Sequence, residues 1–148
     1  MGVSERSGHP VRLIGVSQAP LDVTAVYGVV QAAAAGGVAL FAGVVRDHDG
    51  GRQVSALSYS AHPTAESVLR RVVEEVLDGE PVEAAAAVHR VGDLVVGDVA
   101  VVVAVACGHR GQAFALCERL VDEIKSTVPI WKHQVFADGS QEWVGAPQ

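Results

Sequence analysis

Residues 99–106 read VAVVVAVA, an apolar run with no polar residue in either alternating register. A strand of that kind holds only when both of its faces are covered, so the fold has to place a layer on each side of it. The character changes at Cys107-Gly108-His109-Arg110-Gly111, after which Phe114, Cys117, Leu120, Val121, Ile124 and Val128 recur at three- and four-residue steps. This spacing predicts a helix with an apolar stripe toward the core, stopped by Pro129. The order is strand, tight turn, helix, then a short extended piece carrying Trp131 and Lys132.

A helix start leaves N–H groups unpaired at the positive end of the helix dipole, so Gly108, His109 and Arg110 stand where an anion is held. Arg110 offers a planar donor fork for phosphate or carboxylate, and His109 adds a hydrogen-bond donor or acceptor. Lys125 and Lys132 form a second cationic cluster at the other end, where a lysine is also what the dipole favours on structural grounds alone. Arg110 and Lys125 are fifteen positions apart, which at about 1.5 Å per residue separates their backbones by roughly 22 Å. One small ligand cannot touch both ends. If both clusters serve one site, the simplest arrangement is a two-fold dimer, with His109 and Arg110 of one subunit facing Lys125 and Lys132 of the other.

The 148 residues suit one domain with a sizeable core, with residues 1–10 read as a loose lead and 11–148 as the domain. At 49% hydrophobic and 19% charged residues the chain reads as globular. A formal net charge of −6 argues against general nucleic-acid binding, whose footprint is a basic face; local cations in an acidic protein imply a focused anion pocket. The N-terminus shows no secretory pattern and no apolar stretch approaches the ~20 residues of a membrane span, so a cytoplasmic protein without membrane contact is expected. Cys107 and Cys117 fit neither a disulfide framework nor a C-x-x-C site. Six histidines offer no H-E-x-x-H or other short-spaced pair, which favours a metal-free pocket without a cofactor.

Residues 11–16 read as a strand and Asp22 as the N-cap of a helix through Tyr27 to Ala34, ended by Gly36-Gly37. Residues 38–46 form an apolar strand, 47–52 a loop and 54–59 the returning strand, predicting an antiparallel pair with Arg46 at its mouth. Arg46 either caps a strand end beside Asp47 or supplies a bidentate contact to an anion. A helix starts at Pro63 and runs to about Asp78, closed by Gly79; 83–89 is a strand, and His89 and Arg90 read as structural. Residues 134–136 form a late strand, followed by a turn at Asp138-Gly139 and Trp143-Val144. Strands outnumber helices and hairpin-like links recur, so the fold class is α+β, antiparallel sheets with packed helices.

The segments GGVALFAGVVRDH (36–48), VHRVGDLVVGD (88–98), GHRGQAF (108–114) and KSTVPIWK (125–132), in this order, resemble the MoaE family, the large catalytic subunit of molybdopterin synthase. The resemblance spans residues 36–143 and implies an α/β hammerhead-type fold. It also implies sulfur transfer, in which a small ubiquitin-like partner inserts a C-terminal Gly-Gly thiocarboxylate and converts cyclic pyranopterin monophosphate to the dithiolene of molybdopterin. The implied assembly is a homodimer carrying two partners, a heterotetramer. Carried onto this sequence, Arg46, His109, Arg110 and Lys132 hold phosphate and pterin, Trp131 forms part of the wall, and Lys125 handles a proton or the oxyanion; Lys125 and Lys132 are the catalytic pair. The sequence departs from the family pattern at Tyr59-Ser60-Ala61-His62-Pro63, and Gly145-Ala146-Pro147-Gln148 follow Trp143-Val144 where the family carries a basic residue.

Two other readings compete. A non-catalytic dimeric module would sense an anion at the helix start alone, without needing Lys125 and Lys132. A thioester enzyme would use Cys107 as nucleophile, against the alternative of a small buried residue ending a strand.

Overall fold

The computed structural model describes residues 3–5 and 10–145. In chain order the elements are β1 (Val3–Glu5), β2 (Val11–Ser17), α1 (Val23–Val29), β3 (Gly37–Val44), β4 (His48–Asp49) and β5 (Arg52–Ala61). They continue as α2 (Ala65–Leu77), β6 (Val82–Arg90), β7 (Gly92–Leu94), β8 (Val99–Cys107), α3 (Arg110–Thr127), β9 (Ile130–Phe136) and β10 (Gln141–Gly145). Two sheets result, one ordered β1-β2-β6-β8-β3 and the other β10-β9-β5-β4, with β7 also pairing with β5. All pairs are antiparallel except β2 with β6. This is the expected α+β class of antiparallel sheets with packed helices.

Strand β8 lies between β6 and β3, and its alternate side chains divide between two cores. Val103, Val105 and Cys107 pack on the side of α2 and α3, against Leu69, Val73 and Leu120. Val102, Ala104 and Ala106 pack on the side of α1, with Val26 and Val30. The small side chains of the facing run 84–87 divide in the same way, so helices approach both faces closely.

Several local expectations are corrected. Residues 3–5, read as loose lead, add strand β1 to the edge of the first sheet; residues 1, 2 and 6–9 lie outside the described residues. Asp22 caps α1 as expected, accepting from the Ala25 amide at 3.1 Å, but the helix ends at Val29 rather than Ala34. Arg12 there donates to the carbonyls of Val29 and Gln31, which answers acceptors a helix end leaves open. Strands β3 and β5 do not pair: β3 joins β8 while β5 joins β9 and β7. The chain changes sheets at Val45, held by Val45 N to Asp98 O (3.0 Å) and Gly97 N to Val45 O (2.9 Å). The expected long loop is instead a tight β4–β5 hairpin whose turn is Gly50-Gly51, both at positive φ as a two-residue turn of this hand requires.

On α3 the buried stripe is Ala113, Leu116, Cys117, Leu120 and Ile124, whereas Phe114 is 65% exposed. At 100° per residue Phe114 falls off that stripe. Strand β9 takes in both the extended piece with Trp131 and Lys132 and the late strand at 134–136.

The start of β3 lies under the turn that opens α3. The Gly36 amide donates to the Cys107 carbonyl (2.9 Å), a Cβ at Gly36 would run into the Gly108 carbonyl oxygen, and one at Gly37 would sit 3.1 Å from Arg110 Cα. Gly36→Ala is therefore expected to lower unfolding free energy by about 1–3 kcal/mol in urea titration, the range for forcing a group into a packed site. Gly28→Ala, on α1 with open space around it, is expected to be neutral or stabilising by up to about 1 kcal/mol, because alanine suits a helix better.

Candidate active site

Between the first sheet, the C-terminal half of α3 and the second sheet lies a cavity of about 440 Å³. Its floor is one face of the first sheet, with Phe41 and Gly43 from β3, Val101 and Val103 from β8 and His89 from β6. These residues share a face because the register sets Phe41 opposite Val103, Gly43 opposite Val101, and Val101 opposite His89. The roof is Val121, Ile124 and Lys125 of α3, and Tyr59 of β5 with Ile130 and Lys132 of β9 close the side.

Among the described residues three cations, Arg46, Lys125 and Lys132, border this space, and no carboxylate lines it. With apolar walls to limit screening, the cavity is suited to an anion. Arg46 stands at the mouth, 3.6 Å from an oxygen of Asp49. The other Asp49 oxygen accepts from Nε2 of Gln134 at 2.7 Å, and Gln134 is only 2% exposed. That bond, then the charges of Lys132 and Arg46, hold the Asp49 carboxyl below the usual range. A buried amide thus anchors the carboxylate that steers the arginine.

His89 donates from Nδ1 to the Arg90 carbonyl at 2.7 Å, a bond whose acceptor can only be the carbonyl, and Tyr59 meets the imidazole edge-on with centroids 5.0 Å apart. Burial on the cavity floor is the main cause that keeps the imidazole below the ordinary histidine range; the Arg90 bond opposes it and the Lys125 charge adds to it. Burial also raises the Tyr59 phenol.

Of the residues expected at the site, Arg46, Lys125 and Lys132 come together at one cavity. His109 and Arg110 do not: both are exposed at the opposite end of α3, with His109 in the N-cap position but making no side-chain cap bond. Trp131 is not among the lining residues either. Side chains alternate along β9, so Ile130 and Lys132 face the cavity while the indole of Trp131 lies over Gly145. Cys107 is fully buried and its thiol is pushed up, first by burial and then by Glu83 and Glu80, which disfavours the thiolate a nucleophile needs. His89, Tyr59, Asp49 and Gln134 are members that sequence reading missed. For His89 a signal existed, since it continues the alternation of Ala85 and Ala87 on an otherwise apolar strand face. Among the described residues no group of three or more His, Cys, Asp or Glu is placed to hold a metal ion, and no helix is long and apolar enough to cross a membrane.

A family model described as MoaE protein matches residues 16–127. The molybdopterin synthase catalytic subunit of Nostoc sp. is 35% identical over 131 residues, covering 87% of this chain and 79% of that protein. Molybdopterin synthase from Staphylococcus aureus superposes with a TM-score of 0.82 at 30% identity, covering 89% of this chain and 96% of that one. A protein–protein complex of subunits 1 and 2 of molybdopterin-converting factor from Helicobacter pylori contains a chain with the same fold, at a TM-score of 0.68 and 20% identity, covering 95% of this chain and 92% of that one.

The state of His89 has a consequence for stability. Because the imidazole is depressed in the fold, the unfolded chain, titrating near 6.5 at this residue, takes up the proton first, and stability falls as pH drops below that value. His89→Asn removes this contribution while keeping a donor for the Arg90 carbonyl. Urea unfolding between about pH 7.5 and about pH 5.5 is expected to show a shallower loss of stability in the variant than in the parent.

Proposed function

The chain belongs to the MoaE family, and from that membership we propose that it is the catalytic subunit of a molybdopterin synthase. In this reading it accepts sulfur from the C-terminal thiocarboxylate of a small partner and passes it to cyclic pyranopterin monophosphate, in the cytoplasm. The observation that carries the reading is the cavity lined, among the described residues, by three cations and no carboxylate. Substrate phosphate and thiocarboxylate are both anions, and two unit charges about 4 Å apart repel by about 4 kcal/mol at an effective dielectric near 20. Converging cations offset that repulsion before any bond changes.

The roles follow from position. Arg46 at the mouth and Lys132 on the side wall bind the phosphate, the first through its planar fork. Lys125 on the roof stabilises the oxyanion that develops when the acyl carbon is attacked. The apolar side chains of floor and roof pack against the partner's tail, whose glycines suit a narrow passage.

His109 and Arg110 enter through a second copy of the chain. They lie about 22 Å along α3 from Lys125 by helix rise, and Phe114, one turn after Arg110, is a large apolar side chain left 65% exposed beside them. A two-fold dimer that covers Phe114 also delivers His109 and Arg110 to the partner's cavity, and with two small partners the assembly is a heterotetramer.

Lys125→Ala is expected to bind the pterin within about threefold of the parent yet lower single-turnover conversion by about 10²-fold or more, the usual scale for losing an oxyanion contact. Weakened binding with unchanged turnover would assign Lys125 to substrate binding alone. Mixing inactive Arg110→Ala and Lys125→Ala proteins after subunit exchange is expected to restore about a quarter of parental activity, since half of random dimers are mixed and each carries one intact composite site. No restoration despite verified exchange would place both clusters' work within one chain. Cys107→Ala is expected to retain most activity when turnover is compared at equal folded protein, as its buried thiol takes no part.

A further inference from the structure

We propose that His89 is the general base that activates the water releasing the partner's acyl group from the transferred sulfur. The inference rests on the sulfur-transfer reading above and adds a step to it. Once the thiocarboxylate sulfur has bonded to a substrate carbon, that sulfur is shared between substrate and the partner's terminal carbonyl, as a thioester. Leaving the sulfur on the substrate requires the acyl C–S bond to break. Water oxygen adds to the carbonyl carbon, one water proton passes to Nε2 of His89, and the C–S electron pair stays with sulfur as a thiolate. The partner departs as a carboxylic acid that ionises to carboxylate. No electrons are gained or lost by either side.

The geometry supplies such a base at one place. Nδ1 of His89 is committed to the Arg90 carbonyl at 2.7 Å, which fixes the ring proton on that nitrogen and leaves the lone pair on Nε2. Nε2 has no hydrogen-bond partner among the described residues and is not sealed from solvent, on a residue that lines the cavity. Tyr59 fixes the ring from the side, and Arg90, whose carbonyl pins it, is itself anchored to Asp98 at 3.2 Å. His89 is the one titratable side chain that the first sheet contributes to the floor. Among the described residues, the charged or titratable groups facing the same space are Lys125 from α3, Lys132 from β9, Tyr59 from β5 and Arg46 at the mouth. None is a carboxylate, so none would draw a proton onto the imidazole and spoil it as a base. Burial and Lys125 act in the same direction and keep it in the free-base form at neutral pH. Lys125 across the cavity then meets the oxyanion as His89 takes the proton, the pairing of base and charge that acyl transfer requires.

The test uses the intact protein with a thiocarboxylated sulfur-carrier partner and the cyclic pyranopterin, followed by mass spectrometry through a single turnover. In His89→Asn, a partner chain heavier by the mass of the substrate should accumulate and its decay should slow by about 10²-fold or more, the usual contribution of a general base. Binding of the substrate should be unchanged, the acid limb of the parent's release rate should vanish, and added imidazole should restore release. His89→Gln, with thermal unfolding of each variant, provides a second reading where one variant folds poorly. Release at the parental rate in a folded variant, or an acid limb that persists, overturns the inference. A parent that never converts the substrate overturns the sulfur-transfer reading itself.

Discussion

Val102, Ala104 and Ala106 press into one core and Val103, Val105 and Cys107 into another, so β8 is satisfied only when helices cover both faces of its sheet. Burying one such valine is worth about 1.5–3 kcal/mol relative to leaving it in water, and the strand carries several. The rest of the architecture follows from this demand. Helix α3 leaves the end of β8 through Gly108 and packs back along it, which puts its C-terminal half over Val101 and Val103. The second sheet then closes the side of that gap. The cavity lies where α3 stops pressing directly on the sheet, and the strand that organises the core also supplies the floor of the site.

Charge placement follows the same geometry. The two ends of α3 carry cations for different local reasons: an open helix start at His109 and Arg110, and a terminal turn before Pro129 at Lys125. A helix of this length cannot bring its own ends together. Beside the first of these ends Phe114 is a large apolar side chain left 65% exposed. Within one copy, Asp49 and Gln134 keep Arg46 oriented at the mouth without a carboxylate entering the cavity. Such an arrangement preserves the positive potential where an anion has to sit.

Much of this was legible in the sequence because it is written in local periodicity. The β8–turn–α3 unit, the Asp22 cap and the α2 helix each depend on residues within a few positions of one another. Which strand pairs with which does not. Strands β3 and β5 look like a hairpin from their spacing, yet β8 offers β3 an entirely apolar partner and the Val45–Asp98 and Gly97–Val45 bonds turn the chain to the other sheet. At the site, Trp131 was read as wall and Lys132 as a phosphate and pterin contact in the same pocket, although neighbours on one strand face opposite ways, a constraint the sequence already contained once 130–136 is taken as a strand. His89 was read as structural because no helix start follows the His89-Arg90 pair; its alternation with Ala85 and Ala87, with the register opposite Val101, puts it on the cavity floor.

The measurement that bears most directly on this account is conversion of cyclic pyranopterin monophosphate by the unaltered protein, mixed with a thiocarboxylated small partner and no other enzyme, with the dithiolene product assayed after one turnover. The thiocarboxylate is expected to be lost stoichiometrically as the dithiolene appears. Tight binding of the pterin in the cavity with the thiocarboxylate left intact, using a partner that a known synthase accepts, would contradict it and leave the protein an anion-binding module.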